Sequence, residues 1–140
     1  MDRSESRHRP RVVLADDQAD LFDEIRRLLE PQFDVVGTAQ DGQSALALAK
    51  DLKPDVLVLD ISMPRVSGIE AARKLRQQDP TAKIVFLTMH QDPDIVQAAF
   101  KTGALGYVLK MAARSELLVA LEEVLAGRSF VSSRLRQQTD

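Results

Sequence analysis

The chain has 140 residues, with 19 Lys and Arg against 21 Asp and Glu, a net charge of −2 and no cysteine. The charge balance argues against electrostatic nucleic-acid binding by the chain as a whole, and the missing cysteines exclude disulfides and thiolate metal sites. No apolar run approaches the roughly 20 residues of a membrane-spanning helix, and the start of the chain has no apolar signal-peptide segment, so a single cytoplasmic domain with no membrane partner is expected.

Residues 1–10 are charged and poor in apolar groups, and are expected to form a disordered arm. Val12–Ala15 is a short apolar run, the first predicted strand, and it ends in Asp16-Asp17. Leu21, Phe22, Ile25, Leu28 and Leu29 then recur at helical spacing, which predicts a helix from about Gln18 to Glu30 stopped by Pro31. Phe33, Val35 and Val36 mark a second strand. Asp41-Gly42 opens a second helix carried by Ala45, Leu46, Leu48, Ala49 and Leu52. Val56–Leu59 is an unbroken apolar run, as expected of a strand buried on both faces, and Asp60 follows it directly. Pro64 and Gly68 punctuate the next loop.

Ile69, Ala72 and Leu75 give a third helix, and Ile84–Leu87 a fourth strand with Thr88 at its end. Asp92-Pro93 reads as an N-cap followed by Pro at the first helical position, and Gly103 stops that helix. Leu105–Leu109 is a fifth strand, followed by Lys110. Ser115-Glu116 is expected to open the last helix, which carries Leu117, Leu118, Leu121, Val124 and Leu125 and ends at Gly127. Residues 129–140 read as a polar tail or the start of an interdomain linker, with Phe130, Val131 and Leu135 as docking points. The repeated strand–helix alternation predicts an α/β domain: a five-stranded parallel sheet with helices on both faces.

In such a sheet the strand ends share one edge, and ligands bind there. Asp16, Asp17, Asp60, Thr88 and Lys110 all follow or close apolar runs, so their side chains can converge. Three carboxylates together need compensation, because like charges raise a pKa. Mg²⁺ resolves this with oxygen ligands, Lys110 adds a second cation and Thr88 a hydroxyl donor. That set suits phosphoryl oxygens. A carboxylate can itself accept phosphate, and Asp60, the lone acid after the central run, is the candidate. Taken singly, the acid pair also reads as a helix cap, Thr88 as a β-former and Lys110 as a solvated surface lysine.

The order acid pair, acid, hydroxyl, lysine resembles the receiver domain of two-component response regulators. The matching residues are Asp16-Asp17 after Val12–Ala15, Asp60 within Leu57–Pro64 with Gly68 beyond, Thr88 after Phe86-Leu87, and Lys110 closing Gly103–Lys110. The resemblance covers about residues 11–128. The Gly103–Lys110 segment and the last helix are most similar to receivers that precede LuxR-type helix-turn-helix domains. It implies a flavodoxin-like sheet in the order 2-1-3-4-5, and phosphorylation of Asp60 by a sensor histidine kinase. It also implies Mg²⁺ held by Asp16, Asp17, Asp60 and the backbone carbonyl of Ser62. Lys110 would pair with the phosphoryl oxygens, and Thr88 would move with Tyr107, the aromatic switch residue. The implied readout face is the fourth helix, fifth strand and last helix, or the first and last helices. Phosphorylation-dependent homodimers are common in the family. Lys110 is followed by Met111 where many receivers carry proline, and Ser62 and His90 stand two residues after Asp60 and Thr88. His90 is read either as orienting or obstructing the attacking water or as a loop histidine. His8 has no assigned role.

Two other readings compete. A dehalogenase-like phosphatase needs a second acid two residues after its nucleophile, where this chain has Ser62. A receiver-like interaction module that never takes phosphate usually lacks an acid or the lysine, and none is missing here. No helix-turn-helix fits after Gly127, so DNA is expected to be reached only through an output domain outside these residues. The chain is expected to be the receiver of a longer transcription factor, with a single-domain regulator as the alternative.

Overall fold

A computed structural model describes residues 9–138. Five strands form from the five apolar runs: β1 (Arg11–Ala15), β2 (Asp34–Ala39), β3 (Val56–Leu59), β4 (Ile84–Thr88) and β5 (Gly106–Leu109). Helices α1 (Leu21–Leu29), α2 (Gly42–Leu52), α3 (Gly68–Gln78), α4 (Pro93–Lys101) and α5 (Ala113–Leu125) alternate with them. A two-residue strand, β6 (Phe130–Val131), and a short helix, α6 (Ser133–Gln138), follow.

The sheet is parallel throughout, in the order β2-β1-β3-β4-β5-β6. The expected order holds for the first five strands, and β6 corrects the expected count. Phe130-Val131 is too short to show a strand period. It pairs because β5 presents an open edge: the Phe130 N–H donates to Leu105 O and the Ser132 N–H to Tyr107 O, both at 2.9 Å. Of the arm expected over residues 1–10, residues 1–8 lie outside the described residues, as does His8. Pro10 accepts from the Asp34 N–H at 2.8 Å.

Successive strand residues point to opposite faces, and both faces are covered, so the runs stay apolar throughout. Val13, Leu57, Leu59, Ile84, Phe86 and Tyr107 pack with Ala45, Ala49, Ala71, Ala72, Leu75 and Ala99 of α2, α3 and α4. Val12, Leu14, Val56, Val58, Val85 and Val108 pack with Ile25, Leu29, Leu117, Ala120, Leu121 and Val124 of α1 and α5. Side-chain caps start α2, α3 and α4: Asp41, Ser67 and Asp92 accept from the N–H groups of Ser44, Glu70 and Asp94. Pro93 follows Asp92 at the first helical position, as its sequence predicts.

The start of α5 differs from expectation. A 3₁₀ turn at Lys110–Ala112 leads directly into a helix that begins at Ala113 without a side-chain cap. Ser115 donates to Ala112 O at 3.2 Å, while Glu116 is turned towards Ser132 and Ser133. The helix needs no Ser cap because the 3₁₀ turn already supplies its first bonded turn.

Candidate functional site

Backbone pairing sets the acids side by side. Beyond the end of β1, the Asp16 N–H donates to Ala39 O at 2.9 Å. Beyond the end of β3, the Asp60 N–H donates to Ala15 O at 2.9 Å. These bonds extend the ladders by one residue, so Asp16 and Asp60 leave neighbouring strands at the same edge. Thr88 closes β4, the next strand, and Lys110 follows β5, the one after. The four-strand neighbourhood therefore converts residues 16, 60, 88 and 110 into one constellation.

Asp16 and Asp60 are buried, at 6% and 4% exposure, while Asp17 is exposed. One carboxylate oxygen from each of the three lies within 4.8 Å of the others. Lys110 Nζ bridges Asp16 Oδ2 at 2.8 Å and Asp60 Oδ2 at 3.1 Å. It also donates to Gln18 Oε1 at 3.3 Å. The remaining oxygens are engaged by main chain: Asp16 Oδ1 accepts from the Gln18 N–H at 2.8 Å, and Asp60 Oδ1 from the Ile61 N–H at 2.7 Å. Burial pushes the Asp16 carboxyl above its ordinary value, and the Asp60 charge adds to this; Lys110 and the Gln18 N–H offset only part. Burial works to lower the Lys110 ammonium, but its hydrogen bond to Asp16 and the charge of Asp60 outweigh burial and hold it above its ordinary value. One ammonium thus serves two buried acids with a third beside them. That donor set, all oxygen with excess negative charge, fits a hard divalent cation.

The loop that carries Asp60 is fixed by a close approach. Gly68 donates its N–H to Ile61 O at 2.8 Å. A Cβ at Gly68 would stand 1.9 Å from Asp60 O. Only a residue without a side chain lets α3 begin this near the acid.

Asp17, Gln18, Asp60, Ser62, Thr88, Met89, His90 and Lys110 line a cavity of about 290 Å³ at this edge. A larger cavity of about 730 Å³ lies at the opposite edge, beside Lys53 and Asp79; it contains none of these acids. Thr88 is fully buried, and its Oγ1 receives the His90 N–H at 3.5 Å, a long contact. His90 is not a free loop histidine: its Nε2 lies 2.6 Å from Ser62 Oγ. Tyr107 lies inside the fold, its ring 6.2 Å from both Phe86 and Phe100, and its hydroxyl donates to His90 O at 2.9 Å. Burial, then the charges of Asp60 and Asp92, push its phenol well above the ordinary value. All seven predicted site residues gather at or behind this edge. Sequence reasoning missed Gln18. Its position directly after the acid pair was the available signal, but its bond spans 92 residues to Lys110.

Residues 12–122 match the family model of the response regulator receiver domain. The chain is 34% identical to the transcriptional regulatory protein DegU of Brevibacillus brevis, over 96% of this chain and 58% of that protein. A LuxR-family two-component response regulator from Aurantimonas sp. superposes with a TM-score of 0.88 at 39% identity, covering 93% of this chain and 94% of that one. The isolated receiver domain of RcsB from Salmonella enterica serovar Typhimurium, in the presence of phosphomimetic BeF3−, superposes with a TM-score of 0.85 at 29% identity, over 93% and 98% of the two chains. This chain spans about three-fifths of the length of the curated relatives it matches. No helix among the described residues is long and apolar enough to cross a membrane. The chain belongs to the response regulator receiver domain family.

Proposed function

We propose that this chain is the phosphorylation-controlled switch of a two-component pathway, with Asp60 as the phosphoacceptor. An Asp60 oxygen attacks the phosphorus of a sensor kinase's phosphohistidine; the P–N bond breaks, a P–O bond forms and the histidine leaves. Bound Mg²⁺ would neutralise phosphoryl charge, held by Asp16, Asp17, Asp60 and the backbone carbonyl of Ser62. Lys110 transfers part of its hydrogen bonding from the carboxylates to the phosphoryl oxygens. Thr88 supplies a hydroxyl to the same group, and Tyr107 follows it. The single observation that carries this reading is Lys110 Nζ lying between Asp16 and Asp60 beside a third acid. A structural ion pair needs one acid per lysine; a phosphoryl site needs this surplus.

In this reading residues 11–128 are the receiver, and residues 129–140 lead towards an output domain outside these residues. Transcription through DNA binding is the proposed output, in keeping with the regulatory name of DegU. The switch works in the cytoplasm, with self-catalysed phosphoryl gain and loss. A homodimer formed on phosphorylation fits α1 and α5 best, because β6 covers the edge of β5.

Intact mass after incubation with acetyl phosphate tests the proposal, with and without Mg²⁺, on wild type and Asp60→Asn. One phosphoryl adduct that needs Mg²⁺ and vanishes in the variant is expected. An adduct that persists in Asp60→Asn moves the chemistry to another carboxylate.

A further inference from the structure

The segment after Gly127 is built onto β5, through Phe130, Val131 and Leu135, the docking points its sequence offers. Ser132 is fully buried and uses every polar atom it has. Its N–H donates to Tyr107 O at 2.9 Å, and its Oγ accepts from the Leu109 N–H at 2.9 Å. The same hydroxyl donates to Glu116 Oε1 at 2.5 Å. Its carbonyl accepts from Leu135 and Arg136 N–H groups at 3.0 and 3.1 Å. Leu135, 4% exposed, joins the apolar cluster that contains Tyr107. A second link runs from Arg134 Nε to Gln91 Oε1 at 3.2 Å. Gln91 follows His90, whose carbonyl holds the Tyr107 hydroxyl.

From these contacts we infer that residues 130–138 are a latch docked on β5 in step with the inward position of Tyr107. The segment grips the main chain at residues 107 and 109, immediately before Lys110. If Tyr107 rotates outward, it leaves His90 O and vacates the cluster on which Leu135 rests. Docking and the inward ring therefore stabilise each other. By linkage, whatever favours one favours the other by the same factor. Resting on the proposed function, the inference adds that charging Asp60 tightens this segment and so transmits the switch along the chain.

The chain holds one tyrosine and no tryptophan, so a fluorotyrosine label reports residue 107 alone. The first arm uses the 140-residue chain without phosphate. Leu135→Ser is expected to speed hydrogen exchange at the Phe130 and Ser132 amides about tenfold and to shift the fluorine resonance of Tyr107. Ser132→Ala, the milder change, is expected to act in the same direction on both. Faster exchange with an unmoved Tyr107 resonance, or unchanged exchange, overturns the latch. The second arm adds BeF3− and Mg²⁺. The Tyr107 resonance is expected to move in wild type but not in Asp60→Asn, while exchange at Phe130 and Ser132 slows several-fold. A moved resonance with constant exchange overturns the latch and leaves the acceptor in place. An unmoved resonance with constant exchange overturns the coupling of the latch to Asp60, while the adduct mass of wild type against Asp60→Asn decides the acceptor separately.

Discussion

Gly68→Ala tests whether the acid's position depends on the approach of α3. The new methyl would lie 1.9 Å from Asp60 O and 2.8 Å from both Asp60 C and Ile61 Cα. Clearance of ~3.2 Å, within the tightest range of real contacts, requires the loop or the helix start to move by roughly 1.3 Å. All three clashing atoms are backbone, so no side chain can yield instead. The shift also breaks the Gly68 N–H to Ile61 O bond. Overpacking of this kind costs about 1–3 kcal/mol, and the lost hydrogen bond about 1 kcal/mol. For a chain of this size each kcal/mol lowers Tm by roughly 2–4 °C. The variant should therefore stay folded with a visibly lower melting point. Asp60 moves with its carbonyl, and a displacement near 1 Å at a reacting group can cost on the order of a hundredfold in rate. Thermal melts and the rate of Mg²⁺-dependent adduct formation from acetyl phosphate measure the two effects. A melting point within about 1 °C of wild type and a rate within about twofold would refute the argument.

Lys110→Ala leaves Asp16 and Asp60 facing each other and should cost about 2 kcal/mol in denaturant melts. That is below the roughly 3–5 kcal/mol of a fully buried pair, because Lys110 keeps 14% side-chain exposure; Asp16→Asn in the same chain should recover part, and an unchanged midpoint for the single variant counts against the bridge. His90→Ala removes the Ser62–His90 contact; where His90 obstructs the water that attacks the phosphoryl group, the change opens its path. Phosphate loss should quicken about threefold, under 1 kcal/mol at the barrier, with adduct formation little changed; equal loss rates end the idea. Glu116 has a depressed carboxyl pKa: burial raises it, but hydrogen bonds from Ser132 and Ser133 outweigh burial. A depressed folded value means stability that is present above the ordinary value and lost as pH falls through the folded one. Glu116→Gln should thus cost about 1 kcal/mol at pH 7, and the gap to wild type should close below about pH 4.5; a gap independent of pH would show that the charge is irrelevant.

The strands and the acids were legible for one physical reason. A parallel sheet covered on both faces leaves no polar position within a strand, so Val56–Leu59 and Ile84–Leu87 stand out as unbroken runs, and the first polar residue after each becomes conspicuous. Asp16, Asp60, Thr88 and Lys110 are such residues. What was not legible depends on partners remote in sequence. Ser62 meets His90 across 28 residues, and Glu116 meets Ser132 across 16. β6 has no signal of its own, since its pairing is decided by the free edge of β5. Gly68 reads as loop punctuation, whereas its structural reason is the carbonyl of Asp60, which lies 1.9 Å from where a Cβ would stand. The start of α5 was misplaced because Ser115-Glu116 imitates a cap, while Glu116 is committed to the segment beyond Gly127.

The electrostatics of the edge indicate how, in the proposed switch, a small chemical event there would act on the rest of the fold. Burial raises the Asp16 carboxyl, and Lys110 must divide its ammonium between two acids. The unphosphorylated state is therefore held by a compromise and not by a fully matched pair. In the proposed reaction a phosphoryl group adds negative charge at Asp60, and the shared lysine is drawn towards it. Lys110 is joined covalently to Leu109, whose N–H is held by Ser132. Tyr107 lies two residues earlier, with its hydroxyl on His90 O in the loop that follows Thr88. A change in the lysine's partners thus reaches β5, the β4–α4 loop and the docked segment through bonds already made. Packing at interior density transmits strain, so on the latch inference the inward ring and the docked segment move together. The same economy that places one lysine among three acids makes the edge of β5 the point where charge becomes shape.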